Sequence, residues 1–227
     1  MTARKSYTPP LGTGSTADYD RAIRLWTRET RWRTAMRAYL AARPNETIVD
    51  VGCGTGSFAL LLKLAEPRLT VIGIDPDAEA LDIARGKAHA AAVDIEWRQG
   101  FAGDLAAETA DAVVSSLVLH QMPLSEKAAT LRAMNRMLRP GGRLVIADYG
   151  LQCGLMRLLF RLTVQRLDGV TDTQPNADGV IPKLIAAAGF EDVVAPFTIS
   201  TITGTIQLFT ARRPISDAWR SVANDPD

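Results

Sequence analysis

Asp50, Gly52, Gly54 and Gly56 close the apolar run Thr47-Ile48-Val49-Asp50-Val51, and a helix-capable segment from Phe58 to Leu64 follows at once. A buried strand that breaks into alternate glycines and then a helix lets the backbone approach a ligand closely. The helix start adds unpaired N–H groups. On this reading each of the three glycines leaves room that only a hydrogen fills. A second apolar run, Thr70-Val71-Ile72-Gly73-Ile74, ends in Asp75. A carboxylate at the end of the second strand can accept hydrogen bonds from both hydroxyls of a ribose. A dinucleotide loop, G-x-G-x-x-G, needs its third glycine where this chain has Ser57, which disfavours a nicotinamide-linked oxidoreductase. The loop has no lysine, which disfavours a P-loop.

Other candidates fall after later strands. Ser115, Ser116, Leu117, His120 and Gln121 end the fourth. Ligands bind at the carboxyl ends of strands in open α/β sheets, so this group faces the expected reaction region. His120 is one of two histidines and is a candidate general base, with a hydrogen-bonded structural role as its rival. His89, in an alanine-rich helix, reads as surface. Asp148 and Tyr149 close the fifth strand at the same edge, and Tyr149 is a candidate acceptor contact. Two further segments are candidates for the acceptor pocket. One is the basic N-terminal stretch with Tyr19, Trp26, Trp32 and Arg33, whose arginines read as a solvated face. The other is Leu155 to Leu162, with Arg157 and Arg161 one turn apart. This cationic amphipathic helix could line an apolar site, touch a membrane surface or form a dimer contact.

These groups need a scaffold. Strands at 47–51, 70–74, 94–98, 111–117 and 143–148 alternate with helices at 57–65, 77–90 and 124–138. Such alternation specifies a parallel sheet with crossover helices. Two antiparallel strands, 192–199 and 204–211, close it. Residues 1–17 read as a flexible leader, 18–213 as one domain and 214–227 as a polar tail. Within the domain, 18–43 form a helical cap. Residues 150–189 interrupt the alternation with a helix-like stretch, a polar loop at 168–179 acting as a hinge, and a second helix; 151–180 of these form a lid.

The 227 residues carry a formal net charge of +1, which does not suggest a polyanionic partner. The two cysteines, Cys53 and Cys153, lack metal-ligand spacing and point to a reduced, cytoplasmic compartment. No apolar run approaches the roughly 20 residues that span a bilayer, and the N-terminus lacks the apolar core of a secretory signal.

Val49-Asp50-Val51-Gly52-Cys53-Gly54-Thr55-Gly56 resembles motif I of the class I S-adenosylmethionine-dependent methyltransferases. Gly73-Ile74-Asp75-Pro76-Asp77 resembles their motif II. The segments 111–120 and 138–146 resemble their fourth-strand motif and the turn into their fifth strand. The small-molecule branch with the ubiquinone/menaquinone methyltransferases is the most similar in flavour. The resemblance implies a Rossmann-like α/β fold with a seven-stranded, mostly parallel sheet and an antiparallel C-terminal strand. It also implies S-adenosylmethionine (SAM) as cofactor and S-adenosylhomocysteine as product. The glycine loop with Cys53, and Ser116, would pack against the cofactor. Asp50 would sit near its α-amino group, and Asp75 with Pro76 near the ribose. Gly100, Phe101 and Ala102 would cover the adenine, and Tyr19 would fold over the whole. Trp26, Gln121, Tyr149 and Arg157 are the expected acceptor contacts. The Asn/Asp-Pro-Pro-aromatic signature of nucleic-acid amino methyltransferases is absent from the fourth strand, so a small, apolar or aromatic acceptor is expected, handled by a monomer or homodimer. Two alternatives are a quinone- or lipid-type acceptor met at a membrane surface and a non-catalytic SAM-binding protein.

Overall fold

The computed structural model describes residues 26–215. Tyr19, the leader, the start of the N-terminal cap and the tail past residue 215 lie outside the described residues.

Seven strands form one sheet: β1 (Thr47–Val51), β2 (Thr70–Asp75), β3 (Glu96–Gln99), β4 (Ala110–Ser116), β5 (Leu138–Tyr149), β6 (Glu191–Thr201) and β7 (Gly204–Arg212). Their spatial order is β3-β2-β1-β4-β5-β7-β6. Neighbours among β1 to β5 pair parallel, and β7 runs antiparallel to both β5 and β6. The Val/Ile-rich central strands are buried because helices cover both faces of the sheet. On one face, Trp32, Met36 and Leu40 of α1 (Glu29–Leu40) join Phe58 and Leu62 of α2 (Ser57–Ala65). On the other, Leu131 and Met134 of α4 (Leu124–Met137) meet Ile181 and Ile185 of α8 (Ile181–Ala187). α3 (Ala78–Ala90) links β2 to β3; its N-cap Asp77 accepts from the N–H groups of Glu79 and Ala80.

The strand order reverses between β1 and β4, and a crevice at the carboxyl ends of these strands is where such sheets take ligands. The reversal sets Gly52 beside Val118. The Ser115 hydroxyl fastens the two strands by donating to the Val51 carbonyl, 2.8 Å.

Two expectations need correction. β5 starts at Leu138 rather than 143: Leu138 pairs with Ala110 and Arg143 with Ala112, so 139–142 bulge out of the ladder. The expected polar loop at 168–179 is largely helical. Between β5 and α8 run α5 (Gly154–Leu162), α6 (Val164–Asp168) and α7 (Val170–Ala177). α7 forms despite Pro175 because tertiary bonds hold it. Asn176 Nδ2 donates to the Tyr149 carbonyl, 2.9 Å, and Lys127 Nζ to the Asp172 carbonyl, 2.7 Å.

Candidate functional site

The N–H groups of Gly52 and Cys53 both donate to the Ile74 carbonyl, 2.8 and 3.2 Å, which folds the loop back over β2. Gly54 N–H donates to Asp75 Oδ2, 2.8 Å. The three glycines are not equivalent. A Cβ on Gly52 would stand 2.4 Å from Val118, and one on Gly56 2.3 Å from the Trp97 ring. A Cβ on Gly54 would meet nothing within 4 Å. Gly52 and Gly56 therefore serve packing, whereas Gly54 faces open space. This corrects the expectation that all three leave room only for a hydrogen. Trp97, on β3, also fills the space above Gly73. The Cys53 thiol is buried, and burial pushes its pKa up, so it acts as loop packing.

Two carboxylates lie behind the loop. Asp75 spends one oxygen on Gly54 N–H and the other on Asp77 N–H, 2.9 Å, and burial raises its pKa. Each oxygen retains a further lone pair, the capacity a ribose diol needs. Asp50 is 1 % exposed, and neither of its oxygens makes a well-formed hydrogen bond, although the Ala59 N–H lies near enough to pull its pKa down. Burial pushes its carboxyl up to about 7 against the opposing pull of the Arg33 guanidinium, with Asp75 adding to the rise. Arg33, expected on a solvated face, is largely buried; its Nη2 meets Glu29 at 2.6 Å while its Nε is buried without a partner. A buried unpaired carboxylate influenced by a buried, half-satisfied guanidinium fits an amino-acid zwitterion, with ammonium to Asp50 and carboxylate to Arg33. S-adenosylmethionine carries that group on a nucleoside.

Gly100 N–H donates to the Asp75 carbonyl, 3.0 Å, and carries the chain past the ribose position. Phe101 N–H donates to Asp104 Oδ2, 2.9 Å, which closes a tight turn that leaves the Phe101 ring 41 % exposed and buries Ala102. Gln99 Nε2 reaches the Pro76 carbonyl.

The ends of β4 and β5 form a knot around Asp148, which is fully buried. Its Oδ2 accepts from the N–H groups of Val118 and Leu119, 3.1 and 2.7 Å. Its Oδ1 accepts from Tyr149 N–H, 2.7 Å, and pairs with His120 Nδ1, 2.8 Å. Leu117 enters this turn, just past Ser116, with φ +56°, a left-handed conformation that costs a non-glycine residue about 1–2 kcal/mol. Its N–H is held by the Ala147 carbonyl, 2.8 Å. His120 Nε2 lies 3.5 Å from Asp168 Oδ2. Burial works to lower the His120 pKa, but Asp148 and Asp168 overcome it and hold the group at about 9. At neutral pH the ring is thus a cation that donates from both nitrogens.

Lys127 completes the knot. It is fully buried, and its ammonium donates to the carbonyls of Leu119, Met122 and Asp172, 2.6, 2.7 and 2.7 Å. Burial lowers its pKa to about 8, opposed by Asp148 and Asp172. The Tyr149 hydroxyl pairs with Thr203 Oγ1, 2.8 Å, and burial raises its pKa far above the ordinary range. Tyr149 also lies edge-on to His120, ring centroids 4.9 Å apart.

Residues 48–142 match the family model described as "Methyltransferase domain". The demethylmenaquinone methyltransferase of Deinococcus radiodurans is 31% identical over 163 residues, covering 69% of this chain and 67% of that protein. This chain belongs to the class I SAM-dependent methyltransferases. The ubiquinone/menaquinone biosynthesis C-methyltransferase UbiE of Rubrivivax gelatinosus is 28% identical, covering 71% of this chain and 69% of that one. Among solved structures, phosphoethanolamine N-methyltransferase 2 of Haemonchus contortus in complex with S-adenosyl-L-methionine shares the fold, with a TM-score of 0.65 at 16% identity. That match covers 81% of this chain and 52% of the other. The cofactor of this methyltransferase is S-adenosylmethionine.

Within this methyltransferase the expected residues separate into groups. Asp75, Pro76, Gly54 and the 100–102 turn are tied together by the bonds above, and the buried Asp50 is close enough for Asp75 to raise its pKa. His120 and Tyr149 meet in the knot, and Gln121 lies half-buried in the Leu119–Gln121 turn beside it. The Arg157 guanidinium donates to the Gln152 and Ala177 carbonyls and the Asp178 carboxylate, tying α5 to the end of α7. Trp26 is 46% exposed at the edge of the described residues. Sequence reading missed Lys127, although 127, 131, 134 and 138 share one helical stripe, so a lysine at 127 had to point inward.

Proposed function

We propose that this methyltransferase methylates a small apolar, aromatic acceptor of hydroquinone type, one that brings its own activated nucleophile. The observation that supports this is the state of the β4 and β5 carboxyl ends. Asp148, His120, Lys127 and Tyr149 are buried and bonded to one another, to backbone or to the side chains of Asp168 and Thr203, which leaves none of them poised as a general base. His120 then acts as a cation that positions the turn, in place of the general-base role its sequence position suggested. A hydroquinone ring carbon is already electron-rich through its hydroxyls; it would take the methyl group as the sulfonium S–CH3 bond breaks, and the ring proton it then loses would pass to water, so orientation matters more than a strong base. Relatives named for menaquinone and ubiquinone biosynthesis favour the same class.

When bound, S-adenosylmethionine supplies a methyl group activated by its sulfonium. Asp50, in its ionised form, holds the ammonium of the methionine portion, and Arg33 takes the carboxylate. Asp75 orients the ribose, and Gly54 admits the chain between them. Phe101 and Ala102 would supply apolar cover for the adenine, and Ser116, at the end of β4, would meet the methionine portion.

The test is transfer of label from methyl-tritiated SAM to a panel of hydroquinones, catechols, aliphatic amines and thiols. Preferential labelling of hydroquinones, with retention of a wild-type-like rate in His120→Gln, is expected. Labelling restricted to amines or thiols, or a loss beyond about 100-fold in His120→Gln with cofactor affinity intact, would overturn the proposal.

A further inference from the structure

α5 is turned inside out. Phe160 faces the core and is fully buried, yet Leu155, Leu158 and Leu162, one stripe at i, i+3 and i+7, face outward at 64, 52 and 54% exposure. The apolar surface continues past the helix. Leu151 at 48%, Leu167 at 60% and Val170 at 56% flank it. Ile202 at 59% tops the β6–β7 turn, whose Thr203 carbonyl receives the Thr163 hydroxyl at the end of α5. Monomeric soluble proteins rarely expose so many large side chains together without a partner for them.

The charges around this surface indicate the partner. Arg161 and Arg166 are exposed and form no ion pair among the described residues. Of the nearby acids, Asp168 faces His120 and Asp178 takes Arg157, which leaves Asp172 alone on α7. A second copy pressed against this face would bring two pairs of arginines together with only Asp172 of each copy to receive them. An anionic lipid surface supplies both missing parts, phosphates for the guanidinium groups and an acyl boundary for the leucines.

We propose that α5, with Leu167, Val170 and Ile202, docks this methyltransferase on anionic lipid bilayers. The inference goes beyond the proposed acceptor and does not depend on which acceptor is used. The docking face is the outer surface of the same helices whose inner ends reach Asp148 and His120 through α6 and α7. Lipid contact and the reaction region are therefore opposite sides of one thin layer.

The full-length chain is floated with vesicles of phosphatidylcholine alone or mixed with phosphatidylglycerol. Binding to the mixed vesicles, weakened by salt, is expected. Each basic residue at an anionic surface contributes roughly fivefold to partitioning, so Arg161→Glu/Arg166→Glu should bind about 25-fold or more weakly. Leu158→Ser/Leu162→Ser should lose more than about tenfold on every vesicle composition. S-adenosylhomocysteine affinity, measured by calorimetry, serves as the folding control and should stay unchanged in both variants. Failure of that control in the wild-type chain would count against the cofactor site and leave the flotation result readable. No binding to anionic vesicles, or equal binding by wild type and both variants, overturns the proposal. So does a concentration-dependent dimer in ultracentrifugation that Leu158→Ser/Leu162→Ser dissolves while vesicle binding is absent, since the occupant would then be a second copy.

Discussion

Replacing Asp50 by Asn should stabilise the unliganded methyltransferase while impairing cofactor binding. Burial raises the carboxyl from 3.8 to about 7, although the Arg33 charge and the Ala59 N–H pull it down. A carboxyl raised in the folded state holds its proton when the unfolded chain has lost it. Its contribution to stability is complete below about pH 4 and is lost as pH rises to about 7. The shift of roughly 3 units corresponds to about 4 kcal/mol at pH 8, at about 1.4 kcal/mol per unit. Asn avoids the ionisation but leaves a buried amide unpaired, at a cost of about 1–3 kcal/mol, so a net gain of about 1–3 kcal/mol remains. For a chain of this size each kcal/mol moves Tm by about 2–4 °C. The assay is differential scanning fluorimetry of both proteins from pH 5 to 8. The advantage of Asp50→Asn should shrink by roughly 3 kcal/mol, or about 6–12 °C, on going from pH 8 to pH 5. S-adenosylhomocysteine should reverse the ranking at pH 8, because an ammonium against an ionised Asp50 strengthens binding by about 1.5–3 kcal/mol that Asn cannot supply. Parallel Tm profiles, or equal affinity in the two proteins, would refute the reasoning.

Gly56→Ala should express poorly or melt early because its Cβ meets Trp97 at 2.3 Å, whereas Gly54→Ala should fold, at a left-handed cost of about 1–2 kcal/mol, and show its loss in calorimetric cofactor affinity. Lys127→Met should cost about 3 kcal/mol or more, since three buried carbonyls lose their donor; hydrogen exchange should rise together in 119–122 and 170–177, and a change confined to α4 would contradict the tether. His120→Gln should flatten a different window. A raised imidazole contributes stability that is complete below about pH 6.5 and lost as pH climbs through about 9, so the Tm of wild type should fall across that range more steeply than that of the variant.

The order of elements and the cofactor loop were legible because their signals are local. Strand alternation, glycines at 52, 54 and 56 and the acid at 75 follow from chain geometry within a few residues. What sequence could not show depended on distant partners. Thr171 to Asp178 has the composition of a loop, and its helix exists because Lys127, Gln165 and Tyr149 meet its polar groups. Arg33 belongs to an arginine-rich face by spacing, and only the fold brings its charge to bear on Asp50. The glycines looked alike until Trp97 and Val118 were seen to fill two of the three spaces. His120 was found by position and chemistry, but its protonation is set by Asp148, 28 residues along the chain, and Asp168.

Asp148 serves the turn after β4, the imidazole of His120 and, through Asn176 at 3.4 Å, helix α7. No single replacement can keep all of these bonds, so the residues around it are free to change only as a set. The outward side chains of α5 and the Phe101 turn answer to few interior partners. Drift in a lineage built on this scaffold should accumulate there, and new acceptor or membrane preferences should arise by substitution around an inner knot that stays the same.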